Sequence, residues 1–227
     1  MMDTNFSKKI TCFIQARMSS TRLPGKVLFE FDDGETMLSK VYCQVKSIRH
    51  FENVVVLTSS EKSDDPIEVF CSDRGIPCLR GSLNDVYSRF CSGLSLFPCD
   101  GFARVCADSP FVNKTLLNFA IKVFHEEDNC VYVSNTLERN FPKGLSVQIS
   151  NTQEFLSSTY SLTEKFSSEH ICNGFESRIY DLKRINIFTA QLFEEKSYAI
   201  DEKEDLKFLS SVPLIALEQD KFYYKRM

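Results

Sequence analysis

Short apolar runs alternate with stretches of helical spacing from Ile10 to Ser134, and this alternation is the tightest constraint on the fold. Ile10–Gln15 has the continuous apolar character of a buried strand. Met37, Leu38, Val41, Val45 and Ile48 recur at the spacing of one helix face, predicting a helix over Met37–Ile48. Asn53–Thr58 is a second buried strand. Asp65-Pro66 opens a helix that runs to about Asp73 and is stopped by Gly75. Ile76–Leu79 reads as a short strand, and Ser82 or Asn84 as the cap of a helix from Val86 to about Leu94. Phe102–Cys106 is a strand, a helix runs from Asn113 or Lys114 to about Phe124, and Cys130–Ser134 is another strand. Strands joined through helices cannot form hairpins, so the expected architecture is α/β: a mostly parallel twisted sheet with helices on both faces.

The rhythm breaks after Asn135. Asn140–Gly144 reads as a turn, Leu145–Ile149 as strand-like, and Gln153–Tyr160 and Ser168–Glu176 as helical. Leu182–Phe188 has the look of an edge strand. A last strand, Tyr198–Ile200, is expected to end in Asp201 ahead of a helix over Glu202–Leu209. There is no internal repeat and no low-complexity linker, so residues 1–227 are read as one domain.

A hydrophobic fraction of 43% supplies a sizeable core, and a net charge of −4 argues against a nucleic-acid binder. The nine cysteines are odd in number and form no CxxC pair, which points to free thiols in a reducing cytoplasm rather than to zinc or disulfides. Met1–Lys9 lacks the apolar run of a signal peptide, and no stretch has the length of a membrane span.

Four segments carry chemistry. The first strand runs into Ala16-Arg17-Met18-Ser19-Ser20-Thr21-Arg22-Leu23-Pro24-Gly25-Lys26, with three cations, three hydroxyls and one Pro-Gly. At the C-terminal end of a strand in an open α/β sheet, such a loop suits a nucleoside triphosphate, although a solvated basic turn has the same composition. It is not a P-loop, which needs Gly at position 20 and Ser or Thr at 27, where this chain has Ser20 and Val27. Asp108, in Arg104-Val105-Cys106-Ala107-Asp108-Ser109-Pro110, sits at a strand tip, either as a metal ligand or as part of a plain turn. Asp201 also follows a strand-like run, and either caps a helix or completes a metal site with Asp108. Gly81-Ser82-Leu83-Asn84-Asp85 has room for a base or ribose, while Asp85 and Arg89 have the spacing of an i,i+4 salt bridge. His50 and His125 are expected at the surface. His170 has no nucleophile partner in sequence, so a catalytic triad is not supported.

Taken together, these segments resemble the SpsF-like cytidylyltransferase family, which is related to the CMP-sialic acid and CMP-KDO synthetases. Gln15 to Lys26 matches the family's opening signature Gln-Ala-Arg-Met-Gly-Ser-Thr-Arg-Leu-Pro-Gly-Lys except at Ser19. Gly81-Ser82…Asp85-Val86…Arg89-Phe90, Arg104…Asp108-Ser109-Pro110, Asn135…Phe141-Pro142-Lys143-Gly144-Leu145, Glu169-His170 and Asp201…Glu204-Asp205-Leu206 follow its later blocks in order. The resemblance implies a nucleotide-diphospho-sugar-transferase-like (Rossmann-like) fold, CTP as donor, Mg²⁺, an acidic sugar acceptor, and a role in cell-surface or spore polysaccharide biosynthesis. It also implies a homodimer built through a small arm inserted at 136–178.

The residues it singles out are Arg17, Lys26, Asp108 and Asp201 for catalysis, with Asp108 and Asp201 holding the metal. Ala16, Arg22, Gly81, Ser82, Asp85 and Arg104 join Arg17 and Lys26 on the nucleotide. Asn135, Gly144, Ser146, Gln148 and His170 are assigned to the acceptor. Ser146 and Gln148 stand where family members often carry acidic residues, and Ser19 removes some backbone freedom from the loop. A glycosyltransferase of similar fold and a non-catalytic nucleotide-binding protein are the alternatives. The first is disfavoured because Asp108 is not part of an Asp-x-Asp pair.

Overall fold

The computed structural model describes residues 7–157, 171, 183–193, 197–202, 204–205 and 217–227. Its centre is an eight-stranded sheet: β1 (Ile10–Gln15), β2 (Phe51–Ser59), β3 (Cys78–Gly81), β4 (Gly101–Cys106), β5 (Cys130–Ser134), β6 (Gln148–Asn151), β7 (Lys183–Thr189) and β8 (Phe222–Arg226), in the order β3-β2-β1-β4-β6-β5-β7-β8. Pairing is parallel from β3 through β4 and between β5 and β7, whereas β6 and β8 run against their neighbours. The helices are α1 (Met37–Lys46), α2 (Asp65–Asp73), α3 (Val86–Leu96), α4 (Lys114–Glu126) and α5 (Thr152–Ser157).

Successive strand residues point to opposite faces, and here both faces are buried, which is why the central strands read as unbroken apolar runs. On one face Cys12, Ile14 and Val56 pack with Met37, Val41 and Val45 of α1, Ile67 and Phe70 of α2, and Leu117, Ile121 and Phe124 of α4. On the other, Phe13, Val55 and Leu57 meet Val86, Phe90 and Leu94 of α3 and Phe155 of α5. That second face is an aromatic layer, with Phe13–Phe90 centroids 5.6 Å apart, Phe90–Phe102 5.7 Å and Phe102–Phe155 4.9 Å. The α/β architecture with helices on both faces is the one the alternation predicts.

The departures have local causes. The third strand begins at Cys78, two residues later than expected, because Gly75 turns with φ 61° and Ile76 N–H folds back to Cys71 O at 2.9 Å. Gly81 therefore lies inside β3. The cap of α3 is Asp85, whose carboxylate accepts from Ser88 N–H, not Ser82 or Asn84. Asp85 consequently does not pair with Arg89, which donates instead to Ser82 O at 2.7 Å. The expected Leu145–Ile149 strand is shifted to β6, and the expected edge strand is interior, since β8 covers β7. Tyr198–Ile200 is not a strand. Its backbone is held by single bonds from Tyr198 N–H to Lys143 O (2.8 Å) and from Ile200 N–H to Asp108 O (3.4 Å).

Within 136–178, β6 belongs to the central sheet and Phe155 of α5 to its core. The helix expected over Ser168–Glu176, most of Glu202–Leu209, and His170 lie outside the described residues. His50 is exposed as expected. His125 is half-buried against Phe124, and burial lowers its pKa to about 4. The eight described cysteines are free thiols, and no described helix is long and apolar enough to cross a membrane.

Candidate active site

The site is built where the parallel strands end. Ala16 N–H extends the ladder of β1 by one bond, to Leu57 O at 3.0 Å, and the chain then leaves the sheet as the cationic loop. Gly25 N–H closes that loop onto Met18 O at 2.8 Å, with Gly25 at φ 75°, a conformation that favours glycine. Ser19, the departure from the family signature, stays in the ordinary negative-φ region, so glycine's freedom is not needed there.

Asp64 anchors the loop from below. It is fully buried; Oδ1 accepts from Met18 N–H at 2.7 Å, and Oδ2 accepts from Ser59 N–H (3.2 Å) and the Ser59 hydroxyl. Sequence reasoning missed Asp64, because Ser63-Asp64-Asp65-Pro66 reads as the start of a helix and nothing more.

After Gly25 a single 3₁₀ turn, Lys26–Leu28, directs Lys26 inward, where its side chain is only 8% exposed. The ammonium donates to Ile200 O at 2.7 Å and lies 2.8 Å from Asp108 Oδ2 and 3.5 Å from Asp201 Oδ1. The other Asp201 oxygen meets Arg22 at 3.1 Å and Lys143 at 2.5 Å. Burial alone would raise the Asp201 pKa, but the Lys143 hydrogen bond and the charges of Lys143, Lys26 and Arg22 outweigh it and leave the carboxyl below its ordinary value.

Lys143 lies in the Asn140–Gly144 turn and is not among the residues that the sequence singles out. The turn is what delivers it: Gly144 has φ 95°, and a Cβ there would fall 2.3 Å from the Tyr198 carbonyl carbon. The turn and the segment leading to Asp201 are thereby pressed together.

Two cavities meet at the carboxylates. One, of about 320 Å³, is lined by the cationic loop from Arg17 to Lys26 together with Gln15, Arg104, Cys106, Asp108 and Asp201. The other, of about 510 Å³, shares Arg22, Arg104, Cys106, Asp108 and Asp201, and adds Ser109, Thr136, Arg139, Lys143, Gly144, Ser146 and Gln148. Arg104 spans the seam, donating to Gln15 Oε1 and Gln148 Oε1, both at 3.0 Å. The fold thus gathers Arg17, Arg22, Lys26, Arg104, Asp108, Gly144, Ser146, Gln148 and Asp201 into one connected space. Ala16 is buried behind it.

Gly81, Ser82 and Asp85 share the same sheet edge but line neither cavity. Gly81 packs on Arg89, Ser82 Oγ accepts from Asp85 N–H, and Asp85 caps α3. Asn135 is fully buried. Its amide donates to Leu145 O (2.7 Å) and accepts from Val147 N–H (2.9 Å), so it shapes the loop that carries Ser146.

Among the described residues no cluster of three or more His, Cys, Asp or Glu converges on a point. Asp108 and Asp201 nevertheless converge on one cation, the Lys26 ammonium. Two carboxylates suit a hard divalent ion such as Mg²⁺, which takes one or two carboxylates and completes its shell with phosphate oxygens and water, and burial raises the pKa of the Cys106 thiol beside them, which disfavours the thiolate.

SpsF, the spore coat polysaccharide biosynthesis protein of Bacillus subtilis, is 28% identical over 211 residues, 89% of this chain and 85% of that protein. A 3-deoxy-manno-octulosonate cytidylyltransferase of Christiangramia forsetii is 29% identical over 124 residues, 52% of this chain and 47% of that one, so the match spans about half of that relative. Among solved structures, a cytidylyltransferase from Leptospira borgpetersenii superposes with a TM-score of 0.82 at 29% identity, covering 89% of this chain and 85% of the other. A family model described as cytidylyltransferase matches residues 11–227. The chain belongs to the cytidylyltransferase family and has its nucleotide-diphospho-sugar-transferase fold.

Proposed function

We propose that this protein transfers CMP from CTP to the hydroxyl of an acidic keto-sugar and releases pyrophosphate, in a Mg²⁺-dependent reaction that supplies polysaccharide synthesis. The observation that carries the reading is the meeting of two cationic cavities at Asp108 and Asp201. The first suits a triphosphate. The second, with Arg104, Arg139 and Lys143 on its wall, suits an acceptor bearing a carboxylate.

In the reaction, the sugar hydroxyl oxygen attacks the α-phosphorus, the bond from that phosphorus to the β-phosphate oxygen breaks, and the hydroxyl proton passes to solvent. Arg17 and Lys26 hold the triphosphate and stabilise the charge that builds on the departing pyrophosphate, with Arg22 assisting. Ala16, Gly81, Ser82 and Asp85 are assigned to the nucleoside side. Gly144, Ser146, Gln148, Asn135 and His170 are assigned to the acceptor side, Asn135 acting through the loop it holds. Asp108 and Asp201 would hold Mg²⁺, which would supply neutralisation of phosphate charge and a lowered pKa for the attacking hydroxyl.

The protein works as a cytoplasmic homodimer in this reading, with 136–178 contributing to the contact; light scattering tests the dimer. The reaction is tested by measuring pyrophosphate release from CTP and Mg²⁺ across a panel of acidic sugars, with UTP and ATP as controls. Release with CTP and one sugar is expected. Binding of CTP without release from any sugar would favour the non-catalytic alternative.

A further inference from the structure

Lys26 raises a question that the transfer reaction leaves open. The ammonium donates to the carbonyl of Ile200 at 2.7 Å and stands between two carboxylates, 2.8 Å from Asp108 and 3.5 Å from Asp201. The side chain is nearly closed to solvent, and the ammonium stands between the two carboxylates. Arg22 and Lys143 occupy the remaining Asp201 oxygen. A second cation placed between Asp108 and Asp201 would therefore meet the Lys26 ammonium.

A divalent ion entering between these carboxylates would displace Lys26 or share its space, and like charges at that separation repel strongly away from bulk water. A triphosphate in the adjoining cavity offers the ammonium another anionic partner, and the four-carbon stem lets the group swing to it.

We propose that Lys26 is a placeholder cation that imposes an order of loading: the triphosphate binds first, draws Lys26 off Asp108 and Asp201, and only then do the carboxylates accept the divalent ion. This rests on the metal assignment of the proposed function and adds the order. Metal and nucleotide binding then reinforce one another, and the empty enzyme does not hold a metal unproductively.

The test uses Mn²⁺ as the probe, titrated into nucleotide-free protein and followed by electron paramagnetic resonance. Wild type is expected to bind Mn²⁺ roughly tenfold or more weakly than Lys26→Met, which keeps the chain length and removes the charge. Lys143→Met, a change at an exposed side chain, is expected to fall between them. Adding Asp108→Asn to Lys26→Met should abolish the gain.

A second measurement needs no variant. The ε-¹⁵N resonance of Lys26 in wild type should survive millimolar Mn²⁺ alone, and bleach only after an unreactive CTP analogue with a methylene bridge between the α- and β-phosphates is added. Equal Mn²⁺ affinity of wild type and Lys26→Met, or bleaching by Mn²⁺ alone, overturns the proposal. If the enzyme still releases pyrophosphate, only the order of loading falls. If neither protein binds Mn²⁺, the carboxylate metal site falls with it.

Discussion

Asp201 gathers three cations, with Lys26, Arg22 and Lys143 all within 3.5 Å. Asp201→Ala is expected to lower kcat about a thousandfold or more, by removing a carboxylate that would hold the divalent ion, while the variant still folds and melts cooperatively. Retained turnover would remove Asp201 from the chemistry. Because the folded Asp201 pKa is lowered, the stability its ion pairs contribute is present above the ordinary carboxylate pKa and lost as pH falls through the lowered value. Gly144 is the second decisive residue. Gly144→Ala puts a methyl against the Tyr198 carbonyl at a left-handed φ, so a loss of about 2 kcal/mol or more is expected in urea unfolding, together with a fall in activity as Asp201 is displaced. The sequence marked Asp108, Asp201 and Lys26 because each follows a strand-like run or a Pro-Gly. It did not mark Lys143 or Asp64, whose importance lies in what they touch across the fold.

Elements, rather than single residues, set the loop geometry. The cationic loop is tied to β1 by its own ladder and to the end of β2 through Asp64, which lies 46 residues from Met18 in sequence. Asp64→Asn replaces one buried acceptor oxygen with an amide donor facing N–H or O–H groups, a change that costs about 1–3 kcal/mol. The expected kinetic signature is a raised KM for CTP with a smaller effect on kcat, because the loop is misplaced while its cations remain. An unchanged KM would show that the loop holds itself. Periodicity located β1, α1, β2, α2, α3, β4, α4 and β5 closely, since each buries a defined face and burial leaves a repeat in the sequence. It misplaced β3 by two residues and missed β8, a short run, Phe222–Arg226, with two charges at its end that no repeat distinguishes from a loop. Tyr198–Ile200 is apolar enough to read as a strand, yet it is buried by the loops at Lys143 and Asp108 and not by a ladder.

For the whole molecule, Glu127 closes the far side of the sheet. At the end of α4 it meets Lys183 of β7 at 2.6 Å and Arg226 of β8 at 3.0 Å, and accepts from the Tyr224 hydroxyl at 2.8 Å. The Lys183 and Tyr224 hydrogen bonds, aided by both cations, hold its pKa at about 2, down from 4.5. A lowered folded value means the clasp stabilises fully above about pH 4.5 and is lost as pH falls from there toward about 2. Glu127→Gln should therefore melt below wild type at pH 7, and the gap should close toward pH 2. His125 acts in the same direction at milder pH, since a folded pKa of about 4 against 6.5 costs stability as pH drops between those values. The sequence by itself determined the alternation of strands and helices, the burial of the central strands and the cationic character of the loop after β1, because burial and charge are local properties written in residue type and spacing. The tertiary structure alone decided the strand order, the seating of β6 between β4 and β5, and the meeting of Lys26 with Asp201 across 175 residues. Those depend on which distant segments pair, and no local period encodes the partner.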